Sequence, residues 1–335
     1  MSTTLPAGAL ALAAIVAAVP AAAATSYHLV DLGPSSQALD INRKGEIAGS
    51  SPDGPAGLWT HGEWRVKNDT KKGSLALAID DKGDMVGNEW HKGRIVHLMY
   101  YPRGFKDYEI PLPGGANYGW SINPPEIGMS PDGMQVAGTF MDPGSRQHHC
   151  FLWHPGDAVA TDIGLPAGGF SRCAAWDVND AGEIVGQLWG TDTIFAAFVY
   201  KDGEFRIVGP QGWSGGELRA VNKKGHAVGD NGSPWFWNGH HLETIPKNGD
   251  LEMDYPTALN ERDEVVGWGS SEVMLYANGV LIDVVPLIDD RTHWEFQYGG
   301  GATGINEKGE ISGWTYYDDG SGTESPRGYL LVPND

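Results

Sequence analysis

The chain has 335 residues and a formal charge of −20, with 13 Trp, 12 Tyr and 48 Gly. That aromatic content excludes a disordered chain, and so acidic a balance argues against a general binder of nucleic acid or anionic membrane. Two cysteines exclude a disulfide scaffold and a multi-cysteine zinc or iron–sulfur protein.

Residues 5–24 are apolar and Ala-rich and end in Ala22-Ala23-Ala24, a small-residue cleavage pattern. This predicts a secretory signal peptide over residues 1–24, although no Lys or Arg precedes the apolar run. A membrane anchor fits less well, because Pro20 interrupts a stretch near the lower length limit for spanning. The expectation is a secreted or periplasmic chain whose residues 25–335 form one domain in an oxidising compartment.

Tyr27 to Leu32 reads as a first strand. A short phrase then recurs. It reads Asn42-Arg43-Lys44-Gly45-Glu46-Ile47-Ala48-Gly49, returns as Asp80 to Gly87, and again, one residue longer, as Ser130 to Gly138. Asn179 to Gly186, Asn222 to Gly229, Asn260 to Gly267 and Asn306 to Gly313 complete the set. The closing glycines lie about 44 residues apart on average, a period that means propeller blades or a solenoid when the units are rich in short strands. Within the phrase, Asn or Asp caps a turn with its side chain and a Gly three residues on takes positive φ. Asp263 stands at that Gly position in the sixth copy, which is tolerable because Asp visits the left-handed region more readily than most residues.

Each phrase therefore joins a first and a second strand. A third strand follows, as in Gly57-Leu58-Trp59, Phe151-Leu152-Trp153 and Trp235-Phe236-Trp237, and then a Gly turn and a fourth, as in Glu204-Phe205-Arg206-Ile207. The last unit stops after its third strand, Gly328 to Leu331, and Tyr27 to Leu32 is the spare that completes it. Such pairing closes a ring and removes an exposed edge. The predicted fold is all-β: a seven-bladed β-propeller of four-stranded blades, its ring closed by an N-terminal strand.

These hairpins, with His149-Cys150-Phe151 and Arg327-Gly328-Tyr329 at the start of third strands, resemble the HAF-type extracellular repeat proteins over residues 25–335. The resemblance implies export and a propeller-like fold. It implies no activity, because that family has no common catalytic residues to carry across.

In a propeller the loops into the first strand and those joining the second to the third share one face, around the channel mouth, and loops on a rigid scaffold carry function. An aromatic follows the closing Gly in five units: Trp90, Phe140, Trp189, Trp268 and Trp314. With Trp120, Trp213, Tyr255 and Tyr298 they predict an aromatic-lined funnel suited to sugar rings; packing between blades is the competing reading. His148, Arg172, Arg219 and Tyr118 are the candidate catalytic residues. They are the right types for β-elimination on a uronic-acid polymer, which needs a cation for the substrate carboxylate and a Tyr or His as base and acid. A glycosidase needs two placed carboxylates, and the rim offers too many acids to choose a pair.

His148, His149 and the nearby cysteines carry no zinc-site spacing, so no metal and no cofactor is expected. Gly212 to Gly216 matches GxSxG, but that motif needs a strand-to-helix elbow. Gly299 to Gly304 matches GxGxxG but leads into a strand rather than a helix. Cys150 and Cys173 fall on the same face of adjacent blades, which predicts a disulfide in an exported chain.

The function expected is a secreted propeller that binds a glycan or polysaccharide at the channel mouth and, if catalytic, acts as a polysaccharide lyase. The alternative is a non-catalytic protein-interaction scaffold. A monomer with no membrane span and no nucleic-acid partner is expected.

Overall fold

A computed structural model describes residues 26–52, 54–67, 73–91, 94–116, 126–190, 195–212, 215–297 and 299–334. The predicted signal peptide, Tyr118, Trp120, Trp213 and Tyr298 lie outside the described residues.

The strands run in chain order as β1 (Tyr27–Pro34), then β2 (Gln37–Ile41), β3 (Ile47–Ser50), β4 (Ala56–Thr60) and β5 (Glu63–Val66). Next come β6 (Gly73–Ile79), β7 (Met85–His91), β8 (Arg94–Tyr101) and β9 (Tyr108–Glu109). The third unit holds β10 (Ile127–Met129), β11 (Val136–Met141), β12 (His148–Trp153) and β13 (Thr161–Gly164). The fourth holds β14 (Phe170–Val178), β15 (Ile184–Gly190), β16 (Phe195–Lys201) and β17 (Glu204–Gly212). Then follow β18 (Glu217–Val221), β19 (Ala227–Asp230), β20 (Pro234–Trp237) and β21 (Leu242–Thr244). After them run β22 (Met253–Leu259), β23 (Val265–Gly269), β24 (Met274–Ala277) and β25 (Val280–Asp283). The chain ends with β26 (Trp294–Glu295), β27 (Gly301–Ile305), β28 (Ile311–Asp318) and β29 (Glu324–Pro333).

The result is an all-β propeller. Among the described residues, backbone hydrogen bonds divide it into six sheets: four of four strands, one of five and one of eight. Seven separate four-stranded sheets are thus not what forms; five sheets have the size of a blade and the sixth is twice as large. The cause is local. β12 pairs in parallel with β14 at His148 and Arg172, which joins two consecutive meanders. The Cys150–Cys173 disulfide, with 5.4 Å between its Cα atoms, ties the same two strands covalently. The five-stranded sheet gains the short β26, which pairs β28 beyond the end of β27.

β1 pairs antiparallel with β29 from Tyr27 opposite Pro333 to Pro34 opposite Arg327. The first stretch of the chain therefore occupies the outer position of the last sheet, and an Arg327–Asp31 ion pair at 3.0 Å spans the same seam.

The hairpin phrase is more than a turn. Asn42 Oδ1 accepts the N–H groups of Lys44 and Glu46, both at 3.0 Å, while its Nδ2 donates to the Asp80 carbonyl in the next unit at 2.9 Å. Asn179 donates likewise to the Asn222 carbonyl, Asn222 to Asn260, Asn260 to Asn306, and Asn306 back to Asn42 at 3.1 Å. Asp80 and Ser130 lack an amide donor. There the links run from the Asp81 N–H to the Pro131 carbonyl and from the Asp132 N–H to Asp180 Oδ1. Asn suits the position because one side chain both accepts and donates. The belt returns to its start, so the hairpins encircle a common axis. The closing Gly has a steric reason as well: a Cβ at Gly49 or Gly87 would strike the carbonyl of Gln37 or Leu75 in the first strand.

Large side chains fill the seams between units. Trp153 is fully buried with its ring edge-on to Tyr100 of the preceding unit, centroids 5.5 Å apart. Among the described residues no helix is long and apolar enough to cross a membrane.

Candidate functional site

The first strands line a central channel of about 480 Å³. The residue three before each hairpin phrase faces it: Leu39, Leu77, Ile127, Trp176, Arg219, Thr257 and Thr303. Arg219 is thus the one cation of this girdle. Its guanidinium lies between the rings of Trp176 and Tyr255, 5.8 and 5.6 Å from their centroids. It also pairs with Glu217, and with Asp230 at 3.5 Å.

Arg172 lies at the start of β14, beside His148. Its guanidinium stacks 4.1 Å above the Trp189 ring and donates to Glu126 Oε1 at 2.7 Å. Glu126 is 1% exposed. Burial pushes its carboxyl up to about 7; Arg172 and Thr139 pull it back, and the charge of Glu217 adds to the rise. Burial also lowers the pKa of His148, assisted by the Arg172 charge, so its imidazole is neutral at pH 7. Three buried atoms here lack a hydrogen-bond partner: His148 Nδ1, Arg172 Nε and Glu126 Oε2.

The structure thus places His148 and Arg172 side by side, and the Glu126–Glu217 interaction places Arg219 in the adjoining cluster. It does not give them the expected basic character, since both arginines are paired to carboxylates. His149, on the other face of β12, pairs with Asp162 at 2.8 Å. Among the described residues no group of three or more His, Cys, Asp or Glu side chains could hold a metal ion.

The aromatic funnel is only partly present. Phe140 is a core residue, 1% exposed and packed edge-on to Phe151, because its side chain falls on the inner face of β11. Trp90 and Trp314 lie flat on the backbones of Gly73 and Gly300, where any Cβ would meet the indole. Trp189 is roofed by Arg172. Trp268 and Tyr255 differ. They stack on one another with centroids 4.0 Å apart and stay 39% and 36% exposed.

Glu126 and Glu217 escaped the sequence reading, and an internal comparison would have caught the first. Four residues before the phrase, the other units carry Ala38, Ala76, Ala175, Leu218, Pro256 and Ala302. Glu126 is the lone charge at a position that packs against its neighbours.

No family model matches the chain, and no curated protein matches it in sequence. Solved structures do match in fold, and they place the chain in the class of β-propellers. It is similar to oligogalacturonate lyase in complex with manganese, with a TM-score of 0.57, 12% identity, and 92% of this chain and 93% of that one covered. It is similar to prolyl oligopeptidase B from Galerina marginata, with a TM-score of 0.55 and 9% identity over 88% of this chain and 47% of that one. A third likeness is to YCF48 bound to D1 peptide, with a TM-score of 0.50, 10% identity, and 92% and 97% covered. At these identities the likeness is one of fold, and the chemistry has to be argued from the site.

Proposed function

We propose that this chain is a secreted propeller of seven repeat units, of the HAF-type kind, that binds a glycan at the mouth opposite the Asn hairpins. The observation that carries the reading is the Tyr255–Trp268 pair. It is a stacked aromatic surface more open to solvent than Trp90, Trp189 and Trp314, which are half-buried. Flat aromatic faces suit the apolar faces of sugar rings, and the acids and amides around them suit hydroxyl groups. The count of seven takes the eight-stranded sheet as two units fused at His148 and Arg172.

β-Elimination on a uronic-acid polymer is the cleavage chemistry whose groups stand at this mouth. Arg172 would hold the carboxylate, and His148, kept neutral by burial, would take the proton. The likeness to oligogalacturonate lyase accords with that choice at the level of fold. A peptide-binding scaffold is the second reading. It is favoured by the neutralised arginines, which leave little standing attraction for a polyanion, and by a fold neighbour bound to a peptide.

The test is a glycan array together with a depolymerisation assay on residues 25–335. Trp268→Ala should weaken glycan binding by about fivefold to a hundredfold, in line with the loss of one stacked aromatic worth roughly 1–3 kcal/mol. Its melting temperature should stay unchanged, and Lys44→Ala on the hairpin face should bind normally. Equal losses from both variants, or peptide capture with no glycan bound, would reject the glycan reading.

A further inference from the structure

The cluster formed by Glu126, Arg172 and His148 sets a half-open guanidinium over a sealed carboxylate. Every member keeps a buried polar atom without a hydrogen-bond partner. Leaving one such group unsatisfied costs about 1–3 kcal/mol, so a ligand that supplied a partner here would be stabilised. The scaffold beneath is stiff: the β12–β14 pairing and the Cys150–Cys173 bridge fix His148 and Arg172 in register. Arg172 is held flat on Trp189 yet keeps 27% of its side chain exposed, so a ligand in the mouth can reach it, whereas Glu126 behind it is sealed. A planar guanidinium binds a carboxylate through two parallel N–H bonds, and here one bond is already spent on Glu126.

We propose that Arg172 is a carboxylate-exchange site, at which the carboxylate of a uronic-acid residue takes the guanidinium from Glu126 and Glu126 takes up one proton from solvent. This rests on the glycan reading above and names its substrate class. The balance is simple. A second anion arrives beside a buried carboxylate that already shares one cation, and two carboxylates with one cation between them do not both remain ionised. One proton enters, no covalent bond changes, and the neutral carboxyl of Glu126 becomes a hydrogen-bond donor next to the bound sugar.

The groups facing Glu126 allow this and do not mask it. From β14 it meets Arg172, from β11 Thr139, and from β18 Glu217, itself pushed up by burial, with Arg219 holding it down. His148 on β12 is neutral at and above pH 7. β6 brings no charged residue. Glu89 on β7 acts on Tyr101 and Asp107 rather than on Glu126. Since burial sets the Glu126 carboxyl at about 7 in the free protein, proton uptake is required above that pH and not well below it.

The probes are a galacturonate trisaccharide and its fully methyl-esterified counterpart, titrated calorimetrically from about pH 6 to about pH 9. Above pH 7 the acid's affinity should fall by up to about tenfold per pH unit, with up to one proton taken up per ligand bound, by linkage. The ester's affinity should not change. Glu126→Gln, which fixes the neutral form in the same shape, should bind the acid with no pH slope; its melting curve and intact disulfide report the fold. A pH-independent acid affinity in the native protein, or the same slope in Glu126→Gln, would overturn the exchange. Binding of the ester alone would overturn the exchange and leave the glycan reading standing. Binding of neither probe nor any other glycan would overturn both.

Discussion

Two half-buried aspartates that line the channel show how single residues tie the ring together. Asp40 accepts the N–H of Ile41 and, from the neighbouring unit, that of Ile79 at 2.9 Å; Asp177 accepts those of Val178 and Val221 in the same way. The equivalent positions elsewhere are Ala78, Gly128, Ala220, Ala258 and Gly304, so two seams carry a bond that the others lack. Asp177→Asn keeps the shape but can leave an amide N–H₂ facing the Val221 N–H. It should cost about 1–3 kcal/mol, the penalty for a buried group left unsatisfied. Denaturant unfolding measures it, and a midpoint unchanged from the native protein would show that the Val221 bond contributes nothing.

At the scale of strands, closure and cross-linking are separable. Removing residues up to Pro34 deletes β1 and leaves the whole outer edge of β29 unpaired, along with the Arg327 partner Asp31. An open edge recruits other edges, so the truncated protein should lose its soluble monomer; sedimentation showing an unchanged monomer would contradict this. Opening the disulfide with Cys150→Ser and Cys173→Ser is milder. The bridge spans 23 positions, a loop whose closure is worth roughly 3 kcal/mol in the chain-entropy account. A fall of that order in unfolding free energy is expected, and an equal stability of the double variant would show that the β12–β14 pairing alone holds the seam.

β1 and the hairpins were legible because each rests on a local pattern: a capping Asn, Asp or Ser, a turn Gly in all but the copy with Asp263, and the apolar strands on either side. The fusion of two units through His148 and Arg172 was not, since a parallel pairing between strands has no local signature. The site was half legible for the same reason. Residue type picked out Arg172 and His148, but the partner that cancels the Arg172 charge, Glu126, is distant in sequence and visible only as an exception within the repeat. Phe140 looked like Trp90 and Trp189, yet it stands two residues after its closing Gly where they stand three, and a one-residue difference in register turns a side chain from the mouth to the core.

For the whole molecule, the acidic balance and the closed ring together set how stability responds to pH. Burial raises Asp40 to about 7 and Asp177 to about 8, against the backbone bonds each accepts, and Asp80 and Glu126 are raised to about 6 and about 7 for the same first reason. In the unfolded chain these carboxyls titrate near about 4. Between those values the folded protein binds more protons than the unfolded one, so stability falls as pH rises through the window. Each excess proton contributes a slope of about 1.4 kcal/mol per pH unit. The opposite sign belongs to groups held low. Glu46, despite its burial, is kept down by hydrogen bonds from Asn42, Arg103 and Thr60, and Asp263 by those from Lys224, His226 and Asn222. Their stabilisation is lost only below about pH 4.5, where the unfolded carboxyls also begin to protonate. Mutual repulsion in a chain of formal charge −20 acts in the same direction as the buried acids. The melting temperature should therefore rise as pH is lowered from about 8.5 to about 6, pass a maximum near about 5, and fall in stronger acid. Salt at about 1 M screens the surface repulsion and leaves the buried groups, so the slope should persist there in reduced form. A melting temperature that is flat or rises between pH 6 and 8.5 would mean that Asp40 and Asp177 are ionised in the folded ring, with their backbone bonds outweighing their burial.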